Sequence, residues 1–455
     1  MKAWLHVIAA SVALLAAAPA RAEAPRPHVV FLLADDLGWK NVGYHDGEAK
    51  TPHIDKLSAS GVRLEQFYVM PVCSPTRACL MTGRYPMRYG LQTGVVRPWA
   101  KYGLPLEERT LPQALREAGY VTAITGKWHL GQTGPYLPTR RGFLHQYGQY
   151  TGAIDYFAHT RAGGLDWHRD DRALREEGYS TQLIGREAVR LIGAHDPARP
   201  LFLYVAFNAP HAPLQAPQEH LDRYKHIADL RRRTYAAMVT CLDDAVGAIK
   251  AALDKKGMTA NTLLIFSSDN GGPLQQAADN GPLRAGKATL YEGGVRVPAW
   301  AAWPGKLKPG VTWAPLHMVD WYPTLLKLAG APAAQKLPLD GRDLWPALAE
   351  GKPSPHAEIL HNVESQRGAL RRGDWKLVVQ GKLPRPADAK GGKVELFNIA
   401  DDPFEKTDLS AKQPKKVEEL LARLNTYAKE AAPPKGGPND RRPADWRPPA
   451  VYGEK

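Results

Sequence analysis

The run 28–34 (HVVFLLA) is continuously apolar and rich in β-branched residues, the pattern of a strand buried on both faces. It stops abruptly at Asp35-Asp36. The same order of events recurs down the chain. A helix over 110–117, stopped at Gly119, leads into a strand over 120–125 that runs into Gly126-Lys127-Trp128-His129. A helix over 185–194 precedes a strand over 201–207, which ends at Asn208-Ala209-Pro210-His211. A helix over 234–253 precedes a strand over 262–266, followed by Ser267-Ser268-Asp269-Asn270. Alternating strands and helices predict an α/β fold, a mostly parallel sheet covered by helices. Ligands bind at the carboxyl edge of such sheets. Asp35, Asp36, Lys127, His129, His211, Asp269 and Asn270 are therefore expected to meet in one cleft, although they are scattered in sequence.

The pattern changes near residue 353. Short apolar strands over 358–361, 375–379 and 394–397 are separated by Gly- and Pro-rich turns, and a helix follows over 414–430. These predict a smaller C-terminal α+β domain with an antiparallel sheet. The stretch 433–455 is rich in Pro, Gly and Arg and is expected to be extended or poorly ordered. At the other end, Lys2, an apolar stretch over 7–18 and Ala20-Arg21-Ala22 form a bacterial-style secretory signal peptide over 1–22. The expected division is thus 1–22 leader, 23–352 catalytic α/β domain, 353–432 subdomain and 433–455 tail. The apolar stretch is short for a spanning helix and no later segment is long enough, so a secreted or periplasmic protein without a membrane anchor is expected.

Composition changes this picture little. Over 455 residues, 44% hydrophobic and 23% charged content describes an ordinary globular protein. Sixty Lys and Arg against 46 Asp and Glu leave a net charge of +14, which favours an anionic partner. The basic residues are dispersed and form no nucleic-acid motif, so nucleic acid is not the expected partner. Three cysteines, at 73, 79 and 241, exclude a disulfide framework. Cys79 and Cys241 are free either to pair or to stay buried.

Oxygen-bearing residues dominate the candidate cleft. Asp35, Asp36, Asp269 and Asn270 supply hard donors suited to Ca²⁺ or Mg²⁺ rather than zinc. Taken alone, paired acids after a strand are more often helix N-caps or turn formers than ligands.

Residues 73–84 (CSPTRACLMTGR) carry a Cys-x-Pro-x-Arg motif with a Leu-Met-Thr-Gly-Arg tail and resemble the signature of the type I sulfatases. Gly-Lys-Trp-His-Leu-Gly (126–131), Lys-x-x-x-x-Glu-Gly-Gly (287–294), 136–143 (YLPTRRGF) and 395–409 (ELFNIADDPFEKTDL) extend the likeness over nearly the whole mature chain. The resemblance implies an alkaline-phosphatase-like fold and hydrolysis of sulfate monoesters. It implies that a formylglycine-generating enzyme oxidises Cys73 to Cα-formylglycine. One oxygen of the hydrated aldehyde then attacks sulfur, and the other collapses to expel sulfate. It also implies roles for particular residues. Asp35, Asp36, Cys73, Asp269 and Asn270 would hold the metal, Arg77 the hydrate, and Lys127 and Lys287 the sulfate. His129 would help deprotonate the hydrate, and His211 would protonate the leaving alkoxide. Within the family, residues 30–39, 137–143 and 210–217 look most like the arylsulfatase B (N-acetylgalactosamine-4-sulfatase) group. The chain lacks that group's cysteine-rich loops, so the sugar is less determined than the chemistry. The competing expectations are a phosphonate monoester or phosphodiester hydrolase of the same superfamily, and an inert binder of sulfated glycans.

Overall fold

The computed structural model describes residues 26–386, 389, 391–437 and 440–454. The 1–22 leader lies outside the described residues. A ten-stranded mixed sheet forms the body of the protein. At its centre His28–Ala34 pairs in parallel with Leu201–Ala206 on one side and Thr262–Ser268 on the other, and Val121–Gly126 adds in parallel beyond Leu201–Ala206. These are the four strands expected from the sequence. Antiparallel Ala299–Ala302 then continues the sheet beyond Thr262–Ser268.

Residues of His28–Ala34 alternate between two cores, as a strand covered on both faces must. Val29, Phe31 and Leu33 meet the helices Cys73–Thr82, Leu111–Glu117 and Trp321–Leu328. Val30, Leu32 and Ala34 meet Ser180–Ala194 and Leu230–Lys255. The helices begin where local chemistry allows. Thr110 and Gln113 form a capping box, and Asp229 accepts the amides of Arg231 and Arg232, which starts the long helix four residues before the expected 234.

Pairing leaves the carboxyl ends of the central strands level: Ala34 lies opposite Ser268, Leu33 opposite Ala206, and Ala206 opposite Gly126. The ladder continues one step beyond. Asp269 N–H donates to Ala34 O (3.0 Å), Lys127 N–H to Ala206 O (2.7 Å), and Asp35 N–H to Ala209 O (3.0 Å). Residues immediately past the strands are therefore held by sheet-like hydrogen bonds rather than by free loops.

The C-terminal sheet has four antiparallel strands, Glu358–Val363, Arg367–Arg372, Trp375–Gln380 and Lys393–Asn398, with Pro414–Glu430 packed on it. Its Leu370, Leu377 and Leu396 join Leu420 and Leu424 in the same apolar core as the main sheet. The strand Arg367–Arg372 was not expected. The described residues of the segment from 433 are extended and pinned to the body, with Tyr452 buried. Cys79 and Cys241 are both buried free thiols, so they do not pair. No helix among the described residues is long and apolar enough to cross a membrane.

Candidate active site

Cys73 is the first residue of the Cys73–Thr82 helix. Pro75 falls in the first turn, where a missing N–H costs nothing. The N-cap, Val72, offers no side-chain acceptor, so the amides that open this turn carry no side-chain cap. The Cys73 thiol donates to Asp35 Oδ1 (3.3 Å) and receives Lys287 Nζ at 3.6 Å.

Around this thiol the structure brings together every residue singled out from the sequence. Lys127 Nζ lies 2.5 Å from Asp35 Oδ2, and Lys287 Nζ 2.6 Å from Asp36 Oδ1. Arg77 directs its Nε and Nη2 at Asp269 Oδ2 (3.1 and 2.9 Å) and donates through Nη1 to Lys127 O (2.9 Å). Asp269 Oδ1 accepts the Asp36 amide (3.2 Å), and Asn270 Nδ2 donates to Asp36 Oδ1 (2.7 Å). His211 Nε2 stands 3.5 Å from Asp36 Oδ2.

The two histidines are oriented by carbonyls. His129 Nε2 lies 3.1 Å from Val96 O, so that nitrogen carries the proton and the buried Nδ1 keeps a lone pair with no protein partner. His211 Nδ1 lies 2.6 Å from Ala212 O and is likewise the protonated nitrogen. Asp36 and His129 both have positive φ, 70° and 59°. Non-glycine residues reach this region at a cost, and such strain persists where surrounding contacts over-determine it.

Charge is unevenly shared. Burial opposes ionisation of Asp36, but Lys287, His211 and Asn270 outweigh it and hold its carboxyl at about 2. Burial and the neighbouring Asp35 push Asp269 up to about 6 against the pull of Arg77 and Lys127. Burial, Asp269 and Asp35 raise the Cys73 thiol well above its ordinary value. Burial lowers His129, helped by Lys127 and Arg77, and takes His211 down to about 3, with Lys287 and Lys127 working against Asp36.

Several supporting residues gave no signal in the sequence. Tyr156 OH lies 2.7 Å from the carbonyls of both Asn208 and His211, and Tyr235 OH donates to Asp36 O (2.8 Å). Ser74 Oγ donates to His129 O (2.9 Å) and accepts the Val96 amide (3.0 Å). Gly152 lies against the His129 ring, where a Cβ would come within 2.3 Å. Each is an ordinary residue type whose partner is remote in sequence.

The donor set fits a hard divalent cation. Carboxylates of Asp35, Asp36 and Asp269 converge, and Asn270 Oδ1 is buried without a hydrogen-bond donor among the described residues. A half-turn of that amide exchanges its oxygen and nitrogen, turning Oδ1 toward Asp36. Asp35, Asp36, Cys73 and His211 also offer ligand atoms within 4.8 Å of one another.

Comparison with known proteins agrees with this geometry. A family model described as Sulfatase matches residues 27–331. Arylsulfatase J from Mus musculus is 38% identical over 92% of this chain and 78% of its own length. N-acetylgalactosamine-6-sulfatase from Mus musculus is 36% identical over 73% of this chain and 68% of its own. A crystal structure of Ps i-CgsB in complex with k-i-k-neocarrahexaose superposes with a TM-score of 0.82 at 33% identity, covering 90% of this chain and 94% of the other.

Proposed function

The chain belongs to the sulfatase family, and from that premise we propose that it hydrolyses a sulfate monoester of a saccharide, with Cys73, once converted to formylglycine, supplying the nucleophile. The observation that carries this reading is the convergence on Cys73 of two ammonium groups, a helix N-terminus and an oxygen-rich acidic cluster. A cysteine held for packing alone needs none of these neighbours.

Lys127 and Lys287 bind and neutralise sulfate oxygens in this scheme, aided by the free amides after Val72. Arg77 fixes Asp269 through two hydrogen bonds that converge on Oδ2 and ties it to the Lys127 backbone, so nucleophile, acid cluster and sulfate site share one frame. The bare Nδ1 of His129 accepts a proton from a hydroxyl at position 73. His211 delivers a proton through Nε2 to the departing alkoxide. In the present balance of charge the lysines disfavour its protonation, and an anion between them removes that opposition. Asp35, Asp36, Asp269 and Asn270 would hold one Ca²⁺ or Mg²⁺, with residue 73 beside it, and the ion supplies Lewis-acid polarisation and a lowered hydroxyl pKa.

The N-acetylgalactosamine-4-sulfatase likeness of residues 30–39, 137–143 and 210–217 supports a sulfated amino sugar or related hexose as substrate. Proteins similar to this chain bear the names arylsulfatase and N-acetylgalactosamine-6-sulfatase, and one is described with a carrageenan oligosaccharide, so the sulfated position is the open variable. In the same scheme residues 23–352 form the catalytic unit, 353–432 a subdomain that supports the Lys287 segment, and the 1–22 leader directs export. Two measurements test the function. Mass spectrometry of the peptide bearing residues 73–77 should find sulfur replaced by oxygen with the loss of two hydrogens, the change from CH₂SH to CHO. Turnover of 4-nitrophenyl sulfate should far exceed that of phenyl phosphonate. An unmodified thiol in active protein, or a preference for the phosphonate, would overturn the proposal.

A further inference from the structure

The described residues between 432 and 452 run back from the C-terminal helix across the catalytic body and grip it at two places. The first is the arm 86–102. Ala432 N–H donates to Met87 O and Lys435 N–H to Gly90 O, both at 2.8 Å, and Gln92 Nε2 donates to Ala432 O at 2.9 Å. Farther along this strap, Trp446 meets Trp99 edge-on, with ring centroids 5.8 Å apart, and Trp99 Nε1 donates to Asp440 Oδ1 at 3.4 Å. The second place is the segment 150–168. Leu165 N–H donates to Ala450 O and Tyr452 N–H to Leu165 O, both at 2.9 Å, and His168 Nε2 donates to Tyr452 O at 2.7 Å. Position 164 accepts only glycine at this approach, because a Cβ would sit 2.2 Å from Pro449 O.

Both places hold His129. On the first arm Val96 O lies 3.1 Å from His129 Nε2, and the Val96 amide is bound to Ser74 Oγ, next to Cys73. Gln132, three residues past His129, places Nε2 at 3.0, 3.2 and 2.9 Å from the carbonyls of Arg97, Pro98 and Ala100, and the strap adds its own hold on the same turn at Trp99. At the second place the His168 ring stacks on Tyr150, with centroids 4.1 Å apart, and Tyr150 O accepts the His129 amide at 3.0 Å. The strap therefore meets both the arm that orients the His129 ring and the segment that anchors its backbone, which sits at a φ of 59°. In a neutral imidazole the hydrogen bond made by one nitrogen fixes which nitrogen carries the proton. Val96 O keeps that proton on Nε2 and leaves Nδ1 bare. A carbonyl that drifts from Nε2 lets the proton move to Nδ1, and the ring then has no lone pair there with which to accept another.

We propose that the C-terminal strap is a positioning element of the active site, acting through Trp446 on the Trp99 turn and through Tyr452 and His168 on Tyr150 to hold His129 in the tautomer whose Nδ1 accepts a proton from residue 73. Trp99 and Trp446 are positioning residues in this account, because they act on His129 through Val96. The inference rests on the sulfatase reading above for the role of His129, and it makes the rate depend on a part of the chain remote in sequence from every group that touches sulfate.

The test uses full-length chains carrying Trp446→Ala, Trp446→Phe or Trp99→Ala, with kcat on 4-nitrophenyl sulfate counted per converted Cys73. Trp446→Ala and Trp99→Ala should each lower kcat about tenfold, part of the roughly 10²–10⁴-fold that a positioned base contributes, with KM held within about twofold. Trp446→Phe keeps an aromatic ring against Trp99 and should recover most of the loss. In a His129→Ala background Trp446→Ala should cost less than about twofold, because residues that act through one another are not additive. The imidazole nitrogen resonances of His129, assigned by their disappearance in His129→Ala, should show the Nε2–H tautomer alone in the parent chain and a mixture of tautomers in Trp446→Ala. A parent-like kcat in both alanine variants, the same loss retained without His129, or an unchanged tautomer in Trp446→Ala would overturn the role of the strap. A parent chain that releases no sulfate would remove the proposed reaction instead, and the tautomer measurement, which needs no turnover, would still decide the strap.

Discussion

Lys376, on the third strand of the C-terminal sheet, buries its ammonium 2.8 Å from Glu292 and 2.9 Å from Glu405. Glu292 stands five residues after Lys287, and it also accepts Tyr68 OH at 2.9 Å. Removing one partner of a buried ion pair leaves an uncompensated charge and costs about 3–5 kcal/mol. Lys376→Met should therefore lower the unfolding free energy of the whole protein by about that amount, read as a lower urea midpoint. It should also reduce turnover, because the segment bearing Lys287 loses its anchor. Stability equal to that of the parent chain would show that the subdomain does not brace this segment.

Arg77 cannot be replaced by another cation. Its planar fork meets Asp269 twice and the Lys127 carbonyl once, whereas an ammonium on a shorter reach satisfies at most part of this set. Arg77→Lys should lower kcat by about 10²-fold or more, the size of loss seen when a catalytic group is misplaced by about 1 Å. It should also raise the Ca²⁺ concentration needed for half-maximal activity. Wild-type calcium dependence with reduced kcat would confine Arg77 to the nucleophile.

Exhaustive chelation should lower activity, and Ca²⁺ or Mg²⁺ should restore it. A bound ion stabilises by mass action, so at 100 times its dissociation constant the cation should add about 2.7 kcal/mol and raise the melting temperature. Asp36→Asn should abolish that thermal shift. Stoichiometric zinc, or full activity after chelation, would contradict the oxygen-donor assignment.

His211→Ala should discriminate between leaving groups. A sugar alkoxide leaves poorly and needs a proton, while 4-nitrophenolate needs little help. The loss of kcat should reach about 10²–10⁴-fold on a sugar sulfate and be much smaller on 4-nitrophenyl sulfate. Equal losses on both would mean that His211 only holds the loop around Asp36.

One acid-sensitive element lies away from the cleft. Glu187 accepts hydrogen bonds from His145 (2.8 Å), Arg190 (2.6 Å) and Arg169 (3.3 Å). Burial opposes its ionisation, but these partners hold the carboxyl at about 2, below its ordinary 4.5. A depressed folded pKa means stabilisation that is present above pH 4.5 and is lost as pH falls toward 2. The shift corresponds to about 3 kcal/mol at most, and half-exposed arginines screen part of it, leaving about 1–2 kcal/mol. Glu187→Gln should lower the melting temperature at pH 7 and hardly at all near pH 2. A pH-independent deficit would instead point to lost packing.

The strand ends were legible in the sequence because continuous apolar runs stop at polar residues, and level pairing at Ala34, Ala206, Gly126 and Ser268 turns those stops into one edge. The nucleophile and lysine assignments rested on motif resemblance, and the fold supplied their convergence. Arg367–Arg372 was hidden because buried Arg371 reads as polar until Tyr68 and Gln66 are brought beside it. Tyr156, Ser74 and Gly152 were invisible for the same reason. Pro75 masked the start of the Cys73 helix, since a proline in the first turn looks like a boundary. Composition left the 433–455 segment open between extended and poorly ordered chain, and among its described residues backbone pairing with Leu165 fixes an extended path.

The burial of Cys73 sets a deadline. Only 1% of the residue is exposed, and the groups that close over it include Asp35, 38 residues earlier, and Lys287, 214 residues later. An oxidising enzyme acting as proposed would have to grip residues 73–77 as an open peptide, which the first turn of a finished helix does not offer. Synthesis at about 5–20 residues per second leaves on the order of 10–40 seconds between the appearance of Cys73 and that of Lys287. If Cys73 is converted as proposed, chains that close before conversion would stay thiols, and the active fraction of a preparation would record a race between two clocks rather than the stability of the finished fold.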